Sequence, residues 1–343
     1  MTAFTPKTLT DELIHHLQRG IAPMVTSSPG VGKSSIARKV AASLNLELID
    51  TRLITYMPED LNGYLNKTQQ PDGTWIAEFL PVNTFPLEDA TVPEGKSGWL
   101  IFLDELSSAS KATQAAAYRL ILDREVGARP LHESVAIMGA GNSLADRAVV
   151  TQMSTALVSR MSQLTLEVSA NDFIEFAYAN GLDRRVIAYI AYQREAHLMN
   201  FDPKIEGPYA CPRTWEMCSD LVFDEDVNAS SLARIQSVIG SRIAPQFITF
   251  CQQYDKMPSY NQIVTNPEMS PPSEMATKFA VAVMLSEQIE VPDVGKVLEY
   301  LKNFPLDLQL VFIRGTRILH PHLEDESNVF LEKIVSLVRY LSS

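Results

Sequence analysis

The sequence predicts an α/β fold with a parallel β-sheet, followed by a region that is mainly helical. Up to about residue 168, short apolar runs rich in β-forming residues alternate with helical stretches. This alternation is typical of parallel strands that are joined by crossover helices. After residue 168, apolar residues recur at the spacing of a helix surface. The 343 residues are enough for about two domains.

Each element is predicted from apolar patterning and from the residues that begin or end it. Strands are predicted at residues 23–26, 47–50, 99–103, 135–139 and 163–168, and helices between them at 33–44, 111–124 and 154–159. Further helices are predicted at 170–180, 182–199, 214–223, 230–254, 274–289 and 326–340. The first of these opens with Asn171-Asp172, a typical N-cap sequence. Residues 256–274 are rich in Pro, Ser and Asn and are predicted to be a linker or surface loop.

The composition of the chain favours some classes of protein and disfavours others. Apolar residues make up 46% and charged residues 20% of the chain, which is typical of a soluble globular protein. The net charge of -12 disfavours a broad basic surface for nucleic acid, although an acidic chain can carry a local basic groove. No apolar run has the length of a membrane span, and the N-terminus lacks a signal-peptide layout. The three cysteines lack metal-ligand spacing and cannot form a disulfide framework, which predicts a reducing cytoplasm.

A glycine-rich loop lies between the first predicted strand and its helix, where a phosphate-binding P-loop belongs. Its glycines let the backbone turn so that N–H groups point at phosphate oxygens, and the helix N-terminus adds partial positive charge. Lys33 is predicted to reach the β- and γ-phosphates, and Ser34 to bind Mg²⁺. Ser27 stands where the usual pattern has glycine, a departure that a small residue tolerates. The predicted nucleotide contacts are Ser28, Pro29, Gly30, Val31, Gly32, Lys33, Ser34 and Ser35.

Two carboxylates follow the apolar run at residues 99–103, as expected at the carboxyl end of a buried parallel strand. Asp104 is predicted to hold Mg²⁺ together with Ser34. Glu105 is predicted to act as the general base on the attacking water. A strand that simply emerges into solvent at Asp-Glu is the structural alternative, and the upstream P-loop makes it less favourable.

Three further polar residues have a functional and a structural interpretation. Asn142, at the end of the neighbouring predicted strand, could orient water against the γ-phosphate, or it could be an ordinary turn residue after glycine. Arg160 could stabilise charge in phosphoryl transfer, or could only satisfy a helix C-terminus. Arg213 lies at a helix start, an unfavourable place for a cation unless an anion such as ATP is near. An ordinary exposed arginine is its structural alternative.

The order of the sequence motifs along the chain resembles that of the MoxR-like AAA+ ATPases, particularly the prophage and bacterial forms. The resemblance covers residues 9–267. The resemblance implies a P-loop NTPase core of the AAA+ type at residues 1–168, an all-helical lid at 169–255, and a loop with a C-terminal helical region at 256–343. It rests on the following sequence segments: Met57-Pro58-Glu59-Asp60-Leu61-Asn62-Gly63, Phe102-Leu103-Asp104-Glu105-Leu106, Ala140-Gly141-Asn142, Ser159-Arg160-Met161 and Pro212-Arg213-Thr214-Trp215-Glu216.

The resemblance also implies roles for single residues. Residues 27–34 match the Walker A motif, Asp104-Glu105 the Walker B motif and Asn142 sensor 1. Arg160 matches the arginine finger that acts on the ATP of the neighbouring subunit, and Arg213 matches sensor 2. Arg147 is implied as a further interface arginine. Two hairpin inserts that line a pore or face a substrate match residues 63–80 and 124–132, and the Pro71-Asp72-Gly73 turn independently supports the first.

The function implied is ATP hydrolysis in a ring oligomer, a hexamer, because a finger that acts in trans leaves one chain incomplete. The implied role is chaperone-like remodelling or maturation of a protein partner, often with a von Willebrand factor A domain protein. A DNA-associated AAA+ motor or loader is the alternative, in which Lys67, Arg124 and Arg129 of the hairpins face a strand. A nucleotide-gated scaffold that barely hydrolyses is a third hypothesis, which Glu105 and Arg160 disfavour. The residues alone leave ATP and GTP open.

Overall fold

The computed structural model describes residues 3–143, 153–254 and 256–341. The chain divides into two compact units, Met1–Glu167 and Val168–Ser343. The first unit contains the β-sheet, and the second is helical. No helix of the described residues has the length and apolar character to cross a membrane.

The first unit is built on a six-stranded sheet in which every neighbouring pair of strands is parallel. The strands of the chain are β1 (Ala3–Phe4), β2 (Pro23–Ser27), β3 (Glu47–Arg52), β4 (Tyr64–Gln69), β5 (Trp75–Leu80), β6 (Trp99–Asp104), β7 (Glu125–Val126), β8 (Arg129–Pro130), β9 (Val135–Asn142) and β10 (Ser162–Leu166). The order across the sheet is β1-β10-β2-β9-β6-β3. The predicted parallel α/β fold is therefore confirmed, and all of the predicted strands are present with small shifts at their ends.

The helices of the first unit cover the sheet. They are α1 (Pro6–Leu17), α2 (Lys33–Ser43), α3 (Pro58–Asn62), α4 (Lys111–Leu122) and α5 (Thr155–Val158). The crossover helices confirm the predictions at 33–44, 111–124 and 154–159. The sequence analysis did not predict α1, which buries Leu9, Leu13 and Leu17 at helical spacing and begins at a Thr5 capping box.

Two antiparallel hairpins interrupt the α/β pattern where inserts were expected. In the first, β4 pairs with β5 around a turn at Gly73, and in the second β7 pairs with β8 around Gly127. Gly63 has a φ of 88°, and a Cβ there would lie 2.3 Å from the Leu80 carbonyl oxygen. Only glycine therefore allows the strands of the first hairpin to close at this point.

The described residues of the second unit form helices joined by loops. Its helices are α6 (Ala170–Ala179), α7 (Arg184–Gln193), α8 (Glu195–Leu198), α9 (Pro212–Val222), α10 (Leu232–Ile239), α11 (Ala244–Tyr254), α12 (Tyr260–Thr265), α13 (Met275–Gln288), α14 (Val294–Leu301), α15 (Leu306–Leu319), α16 (Leu323–Glu326) and α17 (Asn328–Leu341). Helix α13 is buried on nearly all sides, as a helix at the centre of a core should be. One apolar core contains residues from both sides of the proposed boundary at 255/256.

Three predictions for this unit were wrong in detail. The predicted helix at 182–199 is broken at Arg194, which has a φ of 61°. The predicted helix at 230–254 is broken at Gly240, where a Cβ would lie 2.3 Å from the Pro208 carbonyl oxygen. The predicted loop at 256–274 contains α12, whose start is capped by Ser259 and Gln262.

Candidate active site

The loop between β2 and α2 has the backbone that an anion site requires. Gly30 and Gly32 have φ values of 83° and 101°, in the left-handed region that favours glycine. Gly32 is the N-cap of α2 and offers no side chain to cap the helix. The N–H groups of the first turn of α2 are therefore suited to phosphate oxygens.

Lys33, the first residue of α2, is only 9% exposed. Its Nζ donates hydrogen bonds to Asn142 Oδ1 at 2.9 Å and to Ser27 Oγ at 3.2 Å. Both of these acceptors are neutral oxygens, which a charged phosphate oxygen can replace. Ser27 was expected only to be tolerated at the first position of the motif, and the structure shows it holding the lysine.

The predicted magnesium ligands lie side by side. Ser34 Oγ donates to Asp104 Oδ2 at 3.1 Å, and the backbone N–H of Glu105 donates to Asp104 Oδ1 at 2.9 Å. A hydroxyl beside a carboxylate is an oxygen donor set that suits Mg²⁺. In the ranges that the structure covers, no group of three or more His, Cys, Asp or Glu side chains could hold a metal. A magnesium ion at this position would therefore need phosphate oxygens and water as its remaining ligands.

Asn142 connects the lysine to the predicted base. It is the last residue of β9, and the parallel register places it opposite Ser27 of β2. Its Oδ1 accepts from Lys33, and its Nδ2 donates to Glu105 Oε2 at 3.1 Å. A lysine only donates and a carboxylate only accepts, so the chemistry of the two partners fixes the orientation of the amide. This arrangement favours the functional interpretation of Asn142 over the turn residue.

Glu105 has a constrained position at the end of β6. Its φ is 56°, an uncommon conformation for a residue with a side chain. Its Oε2 accepts from Asn142 and also from Ser108 Oγ at 2.9 Å. Backbone strain of this kind is often retained at functional sites, where the surrounding contacts hold the residue in place.

Two serines that the sequence analysis did not predict support this arrangement. Ser108 holds Glu105, and the backbone N–H of Asn142 donates to Ser107 Oγ at 3.0 Å. The close approach needs Gly141, because a Cβ there would lie 2.3 Å from Ser107 Oγ. No motif marks these serines in a single sequence. The only available signal was their position two and three residues after Glu105.

Arg160 lies at the opposite edge of the sheet. It precedes β10, and the register pairs Ser162 with Pro23, the first residue of β2. The P-loop follows the other end of β2, roughly 13 Å away at the usual rise of a strand. The Arg160 guanidinium donates to Ala156 O at 3.2 Å and lies 5.4 Å from the Tyr118 ring centroid. Arg160 is therefore poorly placed to contact a nucleotide bound at the P-loop of its own chain.

The roles of the remaining predicted arginines stay predictions. Arg213 is exposed in the first turn of α9, in the second unit, so its role as sensor 2 stays a prediction. Arg147 lies outside the described residues.

Comparison with known proteins gives the class of the domain. Residues 26–161 match the family profile of the AAA domain, dynein-related subfamily. The chain contains an AAA domain. No curated protein matches the sequence.

The solved structures that match the chain share little sequence with it. NtrX from Brucella abortus is 16% identical, with 97% of this chain and 67% of that chain covered and a TM-score of 0.39. NtrX in complex with ADP is 14% identical, with 97% and 68% covered and a TM-score of 0.39. A candidate ATPase from Cytophaga hutchinsonii is 14% identical, with 98% and 90% covered and a TM-score of 0.35.

The match to the AAA domain ends at Met161. The match over residues 26–161 therefore includes the whole P-loop, Asp104-Glu105, Asn142 and Arg160, and it leaves the second unit outside. An AAA domain binds a nucleotide and hydrolyses ATP, so the prediction that the chain is an ATPase is confirmed.

Proposed function

We propose that this chain is a MoxR-like AAA+ ATPase that hydrolyses ATP with Mg²⁺ in a hexameric ring and remodels a protein partner in the cytoplasm. One observation carries the proposal: Lys33, Ser34, Asp104, Glu105 and Asn142 form one hydrogen-bonded group at the carboxyl edge of the sheet. Ligands of open parallel sheets bind at this edge.

The residues of this group have separate tasks in phosphoryl transfer. Lys33 exchanges its contacts with Asn142 and Ser27 for oxygens of the β- and γ-phosphates. Glu105 accepts a proton from the attacking water, and Asn142 holds Glu105 in place. Ser34 and Asp104 would hold Mg²⁺, which neutralises phosphate charge when bound.

Arg160 supports the oligomeric part of the proposal. Among the described residues its guanidinium has no carboxylate partner, and it lies at the sheet edge away from its own P-loop. An arginine in this position can serve the site of a second copy. Head-to-tail contacts of this kind close into rings.

The exposed surface of the first hairpin favours a protein as the partner on which the chain acts. Its strands expose large apolar side chains on both faces: Tyr64 and Leu80 face one way, and Leu65, Trp75 and Phe79 face the other. Exposed apolar surface of this kind is typical of a contact with protein. The family resemblance alone suggests a von Willebrand factor A domain protein as one such partner.

The hairpin cations give little support to the DNA alternative. Arg129 forms ion pairs with Asp89 at 2.9 Å and Glu88 at 3.4 Å. Arg124 donates to Val135 O at 2.6 Å, and burial lowers its pKa. Two of the three cations proposed for a DNA strand are thus engaged within the chain. Cys211, Cys218 and Cys251 are buried and form no disulfide, in agreement with the proposed reducing compartment.

Mixing two inactive variants tests the ring. Arg160→Ala keeps the P-loop and Lys33→Ala keeps the finger, so each variant alone should lack turnover. In a random equimolar ring, roughly a quarter of the interfaces should join an intact P-loop to an intact finger and regain activity. Arg38→Ala, which removes another exposed arginine, should keep full activity. Failure of the mixture to recover any activity, with rings still formed, would contradict a finger acting in trans.

ATPase stimulation by DNA with a steep salt dependence would favour the DNA alternative.

A further inference from the structure

The second unit contains a cavity of about 710 Å³ that the ATPase mechanism does not use. It lies between the loop before α7, the loop after α9, and residues of α11, α13 and α15. This volume is in the range of pockets that bind small organic groups.

The lining of this cavity includes one buried hydroxyl without a hydrogen-bond partner and one partly desolvated carboxyl. Tyr254 is 4% exposed, and its Oη has no hydrogen-bond partner among the described residues. Glu287 lines the same cavity, and burial raises the pKa of its carboxyl to about 7, with Arg184 opposing the shift. A buried hydroxyl and a desolvated carboxylate both lose free energy unless a donor reaches them.

The neighbouring Asp183–Arg185 pair is already satisfied. The Arg185 Nε donates to Asp183 Oδ1 at 2.9 Å, one terminal nitrogen donates to Asp183 Oδ2 at 2.7 Å, and the other donates to Glu225 O at 2.7 Å. The charges of Asp183 and Arg185 therefore neutralise each other, and the net charge of the cavity lining is set by its other residues. The other charged residues of the lining are four carboxylates, Asp224, Glu225, Asp226 and Glu287, and one exposed cation, Arg184. The lining has an excess of negative charge.

This lining is complementary to an organic cation. An ammonium or guanidinium has only donors. The Glu287 carboxylate accepts hydrogen bonds, and Tyr254 Oη, which has no partner among the described residues, can accept one through a lone pair. A metal ion is less favourable, because no group of three or more His, Cys, Asp or Glu side chains in the described ranges is arranged to hold one. An anion would meet the acidic side chains and a single available arginine.

We propose that this cavity binds the amine end of a lysine-like chain, with Glu287 as its counter-charge and Tyr254 Oη as a hydrogen-bond acceptor. The amine can belong to a free diamine or to a lysine side chain of a polypeptide, and the chemistry recognised is the same. The site lies within the second unit, so it does not depend on the proposed ATPase function.

Calorimetric titration of the full chain tests the proposal with 1,5-diaminopentane and with Nα-acetyl-lysine amide. Glutarate, of similar length and opposite charge, is the ligand control. Both amines should bind saturably, and glutarate should not. Glu287→Gln should weaken amine binding about tenfold or more, and Tyr254→Phe by about threefold or more. Tighter binding of the lysine amide than of the diamine would assign the site to a polypeptide, and the reverse would assign it to a free diamine.

The matched control Glu290→Gln removes an exposed carboxylate on the same segment and should bind the amines as the unmodified chain does. Lys33→Ala should also bind them normally, so a failed ATPase site and a failed amine site can be told apart. Absence of saturable amine binding, equal binding by Glu287→Gln, or comparable binding of glutarate would overturn the proposal.

Discussion

The substitution Asn142→Ala tests the connection between the lysine and the base. It removes the 2.9 Å bond from Lys33 and the 3.1 Å bond to Glu105. A hydrogen bond to a charged group contributes about 1.5–3 kcal/mol. Loss of the Glu105 bond alone should therefore lower kcat by about 10- to 150-fold, provided that the bond orients Glu105 in the transition state.

Nucleotide binding should change much less in the same variant. Lys33 keeps Ser27 Oγ within 3.2 Å, and the loop backbone of Gly30 and Gly32 does not depend on the amide. Steady-state kinetics and titration with a fluorescent ATP analogue measure the two effects separately. Asn142→Asp separates the two bonds, because it keeps an acceptor for Lys33 and places a carboxylate beside Glu105. It should lose kcat as Asn142→Ala does.

A matched amide control is Asn303→Ala, at an exposed position in the second unit, which should leave kcat unchanged. If Asn142→Ala kept kcat within about twofold of the unmodified chain, the bond to Glu105 would have no role in positioning the base. If it lost nucleotide binding instead of turnover, the main role of Asn142 would be to hold Lys33.

Two further predictions follow from hydrogen bonds and burial. Ser108→Ala should lower kcat by about three- to tenfold. This loss is smaller than that of Asn142→Ala, because Asn142 still holds Glu105. An unchanged kcat would show that the 2.9 Å bond from Ser108 Oγ to Glu105 does not contribute to turnover. Glu287 has a folded-state pKa of about 7 against an ordinary 4.5, so the folded state holds the extra proton between these values. Its contribution to the free energy of unfolding should fall by roughly 3 kcal/mol as pH rises through this window, as an upper bound. Glu287→Gln should remove that fall in urea unfolding at pH 5 and pH 8, and an unchanged pH dependence would contradict the burial of this carboxyl.

The core of the site could be predicted because its residues follow buried strands. Apolar runs fixed the positions of β2, β6 and β9, and parallel strands bring their carboxyl ends to one edge. Lys33, Asp104 and Asn142 therefore had to lie close together once the strands were placed. Ser107 and Ser108 could not be predicted, because their roles depend on side-chain contacts across strands that no local pattern records.

The helical unit was predicted less well for a related reason. Apolar spacing continues through Arg194 and Gly240, although the chain turns at both positions. The turn at Gly240 is set by its close approach to Pro208, a contact between distant residues. Helices α14 and α15 were not predicted at all, and both bury apolar faces in the same core. Tertiary packing therefore decided these elements where local periodicity was ambiguous.

Glu105 as the base beside a bound nucleotide is the central assignment of the proposed mechanism. The measurement is equilibrium ATP binding and single-turnover hydrolysis by Glu105→Gln in the presence of Mg²⁺, with the exposed Glu94→Gln as the matched control. The variant should bind ATP within about threefold of the unmodified chain and hydrolyse it at least about a hundredfold more slowly. Hydrolysis by Glu105→Gln at the unmodified rate would contradict the assignment of the base and with it the proposed mechanism.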